Sequence, residues 1–432
     1  MNEKRIKVVW VSHFSDTQLR EHLHFDRFYY RLLLYRLNRK RLLVNHDYAP
    51  WIRNGINQFE QFNDIDLTVI HPHYGVSRGI QRFTSNGVKY VCFRSEDDNW
   101  FSYVLASLIK GYHSNYHRNS HIIVEEIKTI HPDIVHFIGA ENPDYSLSAL
   151  DVPSSILCLV SLQTLMSAPG YCDNYPINKD LYVFRSKVET DVIKRCDYIA
   201  SDIKSFQQEI TKRIKPDARF VELPLAVGVD IDLSCEEKLY DFVYFAGNIS
   251  KAGDDAVEAF AIACKKHPNI VLNLSGDYTS EYKAALDERI RELGIERNVI
   301  YSGSKASHEE VLLQIKKSRF ALIPLKVDYI SGTIREAMAC GLPVVTTITQ
   351  GTPKLNESRE SVLLSEIGDY HSMAENICRL VENGELANML RENALITIKD
   401  LYGNEAFMSK WREAYYSILE NCNNGKQMPD DF

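Results

Sequence analysis

The sequence has no C-x-x-C pair, no long uninterrupted apolar run and no excess of positive charge. Each absence removes a class of protein. Its nine cysteines are scattered and odd in number, so they supply neither a disulfide framework nor a zinc-finger spacing. They read as reduced thiols of a cytoplasmic protein. No apolar stretch reaches the roughly eighteen residues that mark a transmembrane helix, and the opening "MNEKRIKVVWVS" is too short and polar for a signal peptide. A formal net charge of −8 gives no support to a nucleic-acid-coating role.

What is present is ordinary in bulk and informative in pattern. With 45% hydrophobic and 25% charged residues, the chain can build a core of normal size. Its 432 residues suggest two or three domains. Short β-rich runs at 6–12, 66–72, 133–139, 154–162, 197–202 and 219–225 are followed by others at 241–247, 270–276, 298–303, 320–325 and 343–347. Helix-period segments such as "DDAVEAFAIACKKH" and "HEEVLLQIKKSR" lie between the later ones. Strands alternating with crossover helices predict α/β architecture with parallel sheets covered on both faces. Eleven strands exceed an ordinary open sheet, so two sheets are expected. The pattern pauses around "PLAVGVDIDLSCEEK" (224–238), which divides the chain into residues 1–228 and 229–402. The remainder, 403–432, opens with a striped helix pattern carrying Trp411, Tyr415, Tyr416 and Leu419. No internal repeat goes beyond the shared α/β plan.

The segment "DYISGTIREAMACGLPVVTT" (328–347) can be read in two ways. As helix punctuation, Thr333 to Glu336 fits the S/T-x-x-E capping box, Gly341 suits the residue after a helix end, and Pro343 follows as a stop. As a ligand site, it lies between two buried strands, so its loop sits at the carboxyl edge of a parallel sheet, where doubly wound folds bind ligands. There the helix start aims amides at the loop, and Ser331 and Gly332 let a phosphate approach. Glu336 would accept hydrogen bonds from a ribose diol, and Asp328, across the loop, would take hydroxyls of a second ring.

"EAMACGLPVVTT" (336–347) resembles the signature of the family 4 glycosyltransferases of GT-B fold, where two glutamates flank a glycine loop. The Asp328 to Glu336 spacing is the family's, with aspartate in place of the first glutamate. The resemblance implies two Rossmann-like domains facing across a cleft, with the C-terminal helix crossing back to the N-terminal domain. It implies that Glu336 contacts the nucleotide ribose, Asp328 the donor sugar, and the amides around Ser331, Gly332 and Thr333 the diphosphate. "YFAGNISKAGDDAVEAFAIA" (244–263) is similar to the family's first donor-domain strand and helix. Gly247 and Lys251 match its phosphate loop, while Asn248 stands where an arginine is usual. Asparagine can hydrogen-bond a phosphate but cannot neutralise it. "NVIYSGSKASHEEVLLQIKKSRFALIPL" (298–325) resembles the segment before the signature and implies that Gly303, Ser304 and Lys305 lie near the base.

In the first half the family often carries a histidine near the reacting sugar; the corresponding place here, "VSLQTL" (160–165), has Gln163. "SHFSD" (12–16) follows the first strand, which makes His13 and Asp16 acceptor-side candidates, although Ser15 or Asp16 could equally cap a helix. Glu141 is a further cleft candidate, and His136 reads as a strand histidine. The triplets Asp64-Ile65-Asp66 and Asp230-Ile231-Asp232 have no accompanying ligand cluster and carry no metal expectation. Basic and aromatic residues interleave over residues 20–53, among them Arg20, Arg27, Arg31, Arg36, Arg39, Lys40, Arg41 and Arg53. That pattern suits peripheral contact with an anionic membrane, or a solvated helix on the first sheet.

By resemblance the expected activity is retaining, metal-independent transfer of a sugar from a nucleotide-diphosphate sugar to a hydroxyl acceptor. The acceptor would be a glycan or lipid-linked glycan, and surface polysaccharide synthesis is the setting by analogy. No cofactor beyond the donor co-substrate is implied. The alternatives are an inactive GT-B subunit that binds a nucleotide sugar or a partner, and a GT-B nucleotide-sugar epimerase.

Overall fold

The computed structural model describes residues 5–25, 47–96, 114–174, 179–224, 237–245, 252–276, 278–305, 307–326 and 331–424. The chain divides into two compact units. The first comprises Met1–Cys172, Ile177–Leu225 and Phe407–Phe432, and the second Asp173–Pro176 with Ala226–Ala406.

The first unit is built on an eight-stranded sheet in the order β3-β4-β2-β1-β5-β6-β7-β8. Its strands are β1 (Ile6–Val11), β2 (Ile65–His73), β3 (Ile80–Ser85), β4 (Val88–Arg94), β5 (Ile134–Ile138), β6 (Leu157–Ser161), β7 (Tyr198–Ala200) and β8 (Phe220–Val221). β1 pairs in parallel with β2 on one side and with β5 on the other. Val8, Val9, Trp10 and Val11 are all buried, as a central strand covered on both faces requires. The chain lays down β2 to β4 on one side of β1 and then β5 to β8 on the other. The carboxyl ends of β1 and β5 therefore flank a topological switch point.

One hairpin departs from the all-parallel expectation. β3 pairs antiparallel with β4, and the strand list read from the sequence omits both. Their connection is Asn86-Gly87, with φ of 49° and 81°. Two consecutive positive-φ residues of this type make the turn that matches strand twist in a hairpin.

The second unit has a six-stranded parallel sheet, β11-β10-β9-β12-β13-β14. Its strands are β9 (Tyr240–Phe245), β10 (Leu272–Ser275), β11 (Val299–Tyr301), β12 (Ser318–Ile323), β13 (Val344–Thr347) and β14 (Leu363–Ser365). Of these six strands only β14 falls outside the runs read from the sequence. The helices Gly253–Cys264 and Tyr370–Glu382 cover this sheet with a core of Phe242, Tyr244, Phe260, Leu272 and Ile377. Here the order reverses between β9 and β12, so the second switch point lies at their carboxyl ends.

The C-terminal helix Asn404–Asn424 docks from Phe407 onward in the first unit. Trp411 packs with ring centroids 5.1 Å from Trp10 and 5.0 Å from His136, and its Nε1 donates to the Pro224 carbonyl at 2.7 Å. Trp10 Nε1 donates to Tyr415 OH at 2.8 Å, and Tyr415 OH lies 2.8 Å from His136 Nδ1. Burial pushes the His136 imidazole down to about 3, so the ring is neutral. All groups are satisfied when Tyr415 accepts from Trp10, which can only donate, and gives its own proton to His136 Nδ1. His136 Nε2 then donates to Ser161 Oγ at 2.7 Å. His136 is thus a strand histidine that anchors the last helix.

Candidate functional site

In the second unit, the helix Gly332–Ala339 starts at the β9/β12 switch point. The cap differs from the box expected at Thr333. Ser331 is the residue before the helix and makes no side-chain cap bond; its Oγ lies 2.8 Å from Thr333 Oγ1. The helix begins earlier because Gly332 already joins it, which moves Glu336 to the fifth helical position, beyond the first turn. Its carboxylate nonetheless reaches back. A Cβ placed on Gly332 would meet Glu336 Oε1 at 3.9 Å, as expected for helical side chains that lean toward the N-terminus. At the other end Gly341 has φ 69° and Leu342 N donates to Ala337 O at 3.0 Å, the glycine stop read from the sequence.

His308, which the sequence reading passed over, holds Glu336. Its Nε2 lies 3.0 Å from Glu336 Oε1, with side-chain exposures of 27% and 16%. It stands at the first position of the helix His308–Ile315, where Ser307 Oγ accepts from Glu310 N at 3.2 Å and fixes the start. The spacing between His308 and Glu336 crosses a strand, so only the fold joins them. Gly303 has φ 69°, and Lys305 Nζ donates to the Ser302 carbonyl at 2.9 Å. Lys326, just past β12, bridges Asp254 Oδ2 at 2.9 Å and Asp255 Oδ1 at 3.3 Å in the first turn of Gly253–Cys264. Four donor-side candidates, Gly247, Asn248, Lys251 and Asp328, lie outside the described residues.

In the first unit, His13 and Glu141 both follow strands at the β1/β5 switch point. The His13 ring lies 4.9 Å from that of Tyr48, and its Nδ1 is 3.8 Å from Asp144 Oδ2. Desolvation, then the charges of His73 and Arg185, hold His13 down to about 4. His73 is likewise lowered to about 4 by burial, and His71 falls well below its ordinary range for the same first reason. All three rings are therefore neutral near pH 7. Glu141 is 4% exposed, with Asn142 Nδ2 donating to its Oε1 at 3.1 Å and Arg185 Nη2 at 3.7 Å. Gln163 Nε2 donates to the Ile138 carbonyl at 3.2 Å. A Cβ on Gly139, whose φ is 110°, would stand 3.4 Å from Gln163 Nε2 and collide with Tyr145 OH, so a glycine is required between them.

Asp16 takes the capping role. Its Oδ1 accepts from Leu19 N at 2.7 Å, and Arg53 Nη2 also donates to it at 3.2 Å. Of the basic stretch over 20–53, Arg20 pairs with Asp47 at 2.8 Å and Arg53 with Asp16, on two separate short helices. Arg27, Arg31, Arg36, Arg39, Lys40 and Arg41 lie outside the described residues. Among the described residues no helix is long and apolar enough to cross a membrane. The first D-x-D triplet serves packing. Burial would raise the Asp64 carboxyl, but Arg412 and Tyr416 hold it below its ordinary value, and Asp66 pairs with Lys89 Nζ at 2.7 Å. Asp230 and Asp232 lie outside the described residues. Eight described cysteines are free, and Cys235 lies outside that set. His267, Cys378 and Glu382 bring ligand atoms within 4.8 Å of one another, but Glu382 is already paired with Lys266 Nζ at 2.6 Å and lies 2.7 Å from His267 Nε2.

Two Rossmann-like units, each with its switch point at the carboxyl edge of a mostly parallel sheet, define the GT-B fold. The sucrose-phosphate synthase (tll1590) from Thermosynechococcus elongatus superposes with a TM-score of 0.69 at 11% identity, over 96% of this chain and 100% of that one. Anabaena Alr3699/HepE in complex with UDP gives 0.61 at 12% identity, over 95% of this chain and 100% of that one. Residues 237–396 match the family described as glycosyl transferases group 1. N-acetyl-alpha-D-glucosaminyl L-malate synthase of Bacillus anthracis is 27% identical over 177 residues, covering 41% of this chain and 45% of the relative. The chain thus spans under half the length of the curated relatives it matches. Residues 237–396 thus match the glycosyl transferases group 1 family, on a chain whose fold is GT-B.

Proposed function

We propose that this protein transfers a sugar from a nucleotide-diphosphate sugar to a hydroxyl acceptor, with the donor held by the second unit and the acceptor by the first. The observation that carries the reading is the position of Glu336. It sits on a helix that starts at the β9/β12 switch point, inside the segment that matches the glycosyl transferases group 1 family. In this reading Glu336 accepts the ribose hydroxyls while the amides of the first turn, with Lys251, face the diphosphate. Charge developing on the leaving diphosphate is stabilised by those amides. The diphosphate itself takes the acceptor proton, so that retention of configuration needs no protein base and no metal. Asp328 meets the donor sugar, and Gly303, Ser304 and Lys305 border the base. Solved GT-B proteins with UDP and UDP-glucose bound supply the precedent for a nucleotide-sugar donor. A glycan or lipid-linked glycan acceptor, with surface polysaccharide synthesis as the setting, completes the proposal.

The test is transfer by the purified full-length chain with UDP-, GDP- and ADP-sugars, products being read by mass spectrometry. Glu336→Ala should abolish turnover and leave the unfolding temperature unchanged; normal turnover by that variant overturns the site assignment. The departures at Asn248, Gln163 and Asp328 motivate a second reading, a GT-B subunit that binds a nucleotide sugar without transferring it. Nucleotide binding with neither transfer nor donor hydrolysis would establish that reading, and donor isomerisation without acceptor would mark an epimerase.

A further inference from the structure

The amino edge of the second sheet carries a side-chain cluster that the transfer chemistry does not use. The helix Gly253–Cys264 follows β9 and leads into β10, so His267, three residues past its end, lies at that edge before the start of β10. The helix Tyr370–Glu382 shares a core with it and ends at the same edge, where Cys378 and Glu382, four residues apart, lie on one side of the helix. His267, Cys378 and Glu382 each offer a ligand atom, and the three atoms lie within 4.8 Å of one another. The helix that carries Glu336 starts at the opposite, carboxyl edge.

Nitrogen, sulfur and oxygen in one cluster suit zinc. A tetrahedral zinc ion sets its ligand atoms about 3.3–3.6 Å apart, from bonds of about 2.3 Å to sulfur and about 2.0–2.1 Å to nitrogen or oxygen. His267 Nε2 and Glu382 Oε1 now stand 2.7 Å apart, so an ion between them asks only for a slight rotation of two side chains. The sulfur moves in from no more than 4.8 Å. Cys378 is 9% exposed and packs in the core of its helix, which fixes one ligand, while His267 and Glu382 reach solvent and leave an entry path. Three protein ligands keep a fourth position for water. Magnesium and calcium prefer sites built of oxygen, so a thiolate and an imidazole select against them.

Lys266 is the competitor. Its Nζ lies 2.6 Å from Glu382 Oε1, and its side chain is 63% exposed. A surface ion pair of this kind contributes little, and the ammonium can turn to water when a divalent ion arrives. The ion then takes over the neutralisation of Glu382. It also neutralises the Cys378 thiolate, whose proton leaves to solvent on binding.

We propose that His267, Cys378 and Glu382 form a zinc site that staples the helices Gly253–Cys264 and Tyr370–Glu382 together at the amino edge of the second sheet. The ion is structural and remote from the donor helix, so the proposal stands apart from the transferase reading. Calorimetric titration of the chelator-treated full-length chain with zinc chloride tests it, with magnesium chloride as the control. One zinc should bind per chain, at least 10-fold more weakly to His267→Ala, Cys378→Ser and Glu382→Gln, and magnesium should not bind there. Zinc should raise the unfolding temperature of the wild type and of none of the three variants. Cobalt(II) in place of zinc should give a thiolate charge-transfer band that Cys378→Ser removes. His267→Ala and Glu382→Gln alter groups that reach solvent, so their metal-free unfolding temperatures should match wild type and separate lost binding from lost fold. Lys266→Ala removes the competitor and should bind zinc up to about 5-fold more tightly; weaker binding by that variant would show that the metal does not seat on Glu382. Failure of the wild type to bind zinc overturns the proposal. So does equal binding by the wild type and the three ligand variants, which would mark an adventitious ion only.

Discussion

Replacing Tyr415 with phenylalanine removes one oxygen from the most interlocked part of the first unit. That oxygen accepts from Trp10 Nε1 at 2.8 Å and meets His136 Nδ1 at 2.8 Å, and Tyr415 and His136 are fully buried. Phenylalanine keeps the ring contacts with Trp411 (6.2 Å) and Phe59 (6.0 Å), so little packing is lost. What is lost is partnership. Two buried polar groups are stranded, at about 1–3 kcal/mol each, so a destabilisation of about 2–6 kcal/mol is expected. Urea unfolding followed by tryptophan fluorescence suits the question, because Trp10 and Trp411, two of the four tryptophans, report from this cluster. With two units present, the transition carrying that fluorescence is the one that should move. A loss under about 0.5 kcal/mol, the scale of an indifferent surface change, would refute the claim that the last helix is locked to the first sheet through this hydroxyl.

Two other predictions concern histidines. His308→Ala frees Glu336 and should weaken nucleotide-diphosphate binding about 3- to 10-fold, or about 0.6–1.4 kcal/mol, as measured by calorimetry; His308→Gln should recover part of it, and an unchanged affinity in the alanine variant would remove His308 from the site. Because His13, His71 and His73 titrate below their unfolded value of 6.5, the unfolded chain binds protons first as pH falls. Stability from these groups is complete above pH 6.5 and declines toward pH 4, and a displacement like that of fully buried His73 is worth about 3 kcal/mol. Urea midpoints should therefore fall between pH 6.5 and 5, and a flat or rising profile in that window would contradict the neutral cluster.

Much of the fold is legible in the sequence because a parallel sheet buried on both faces writes itself as short apolar runs. All eleven such runs contain strands. The hairpin of β3 and β4 was legible too, in the Asn86-Gly87 step, but β3 is only half covered, so its alternation is weak and polar. The three-residue β14 was missed although β7 and β11 are equally short and lie in runs that were read. At the site, the segment from Glu336 to Gly341 could be read because helix stop and donor signature are both local. His308, Tyr48, His71 and Arg185 could not, since each reaches its neighbour across a strand or a crossover. The capping box failed for a related reason. The S/T-x-x-E pattern fixes spacing, but a glycine that enters the helix first moves the start, and only the backbone reveals it.

The account turns on whether the second unit holds a nucleotide at the helix that carries Glu336. Calorimetric titration of the full-length chain with UDP, GDP and ADP measures this most directly. At least one should bind the wild type, and Glu336→Ala should bind that nucleotide at least 10-fold more weakly, about 1.4 kcal/mol or more, with its unfolding temperature unchanged. Equal affinity in the two proteins, or no binding of any of the three to the wild type, would contradict it.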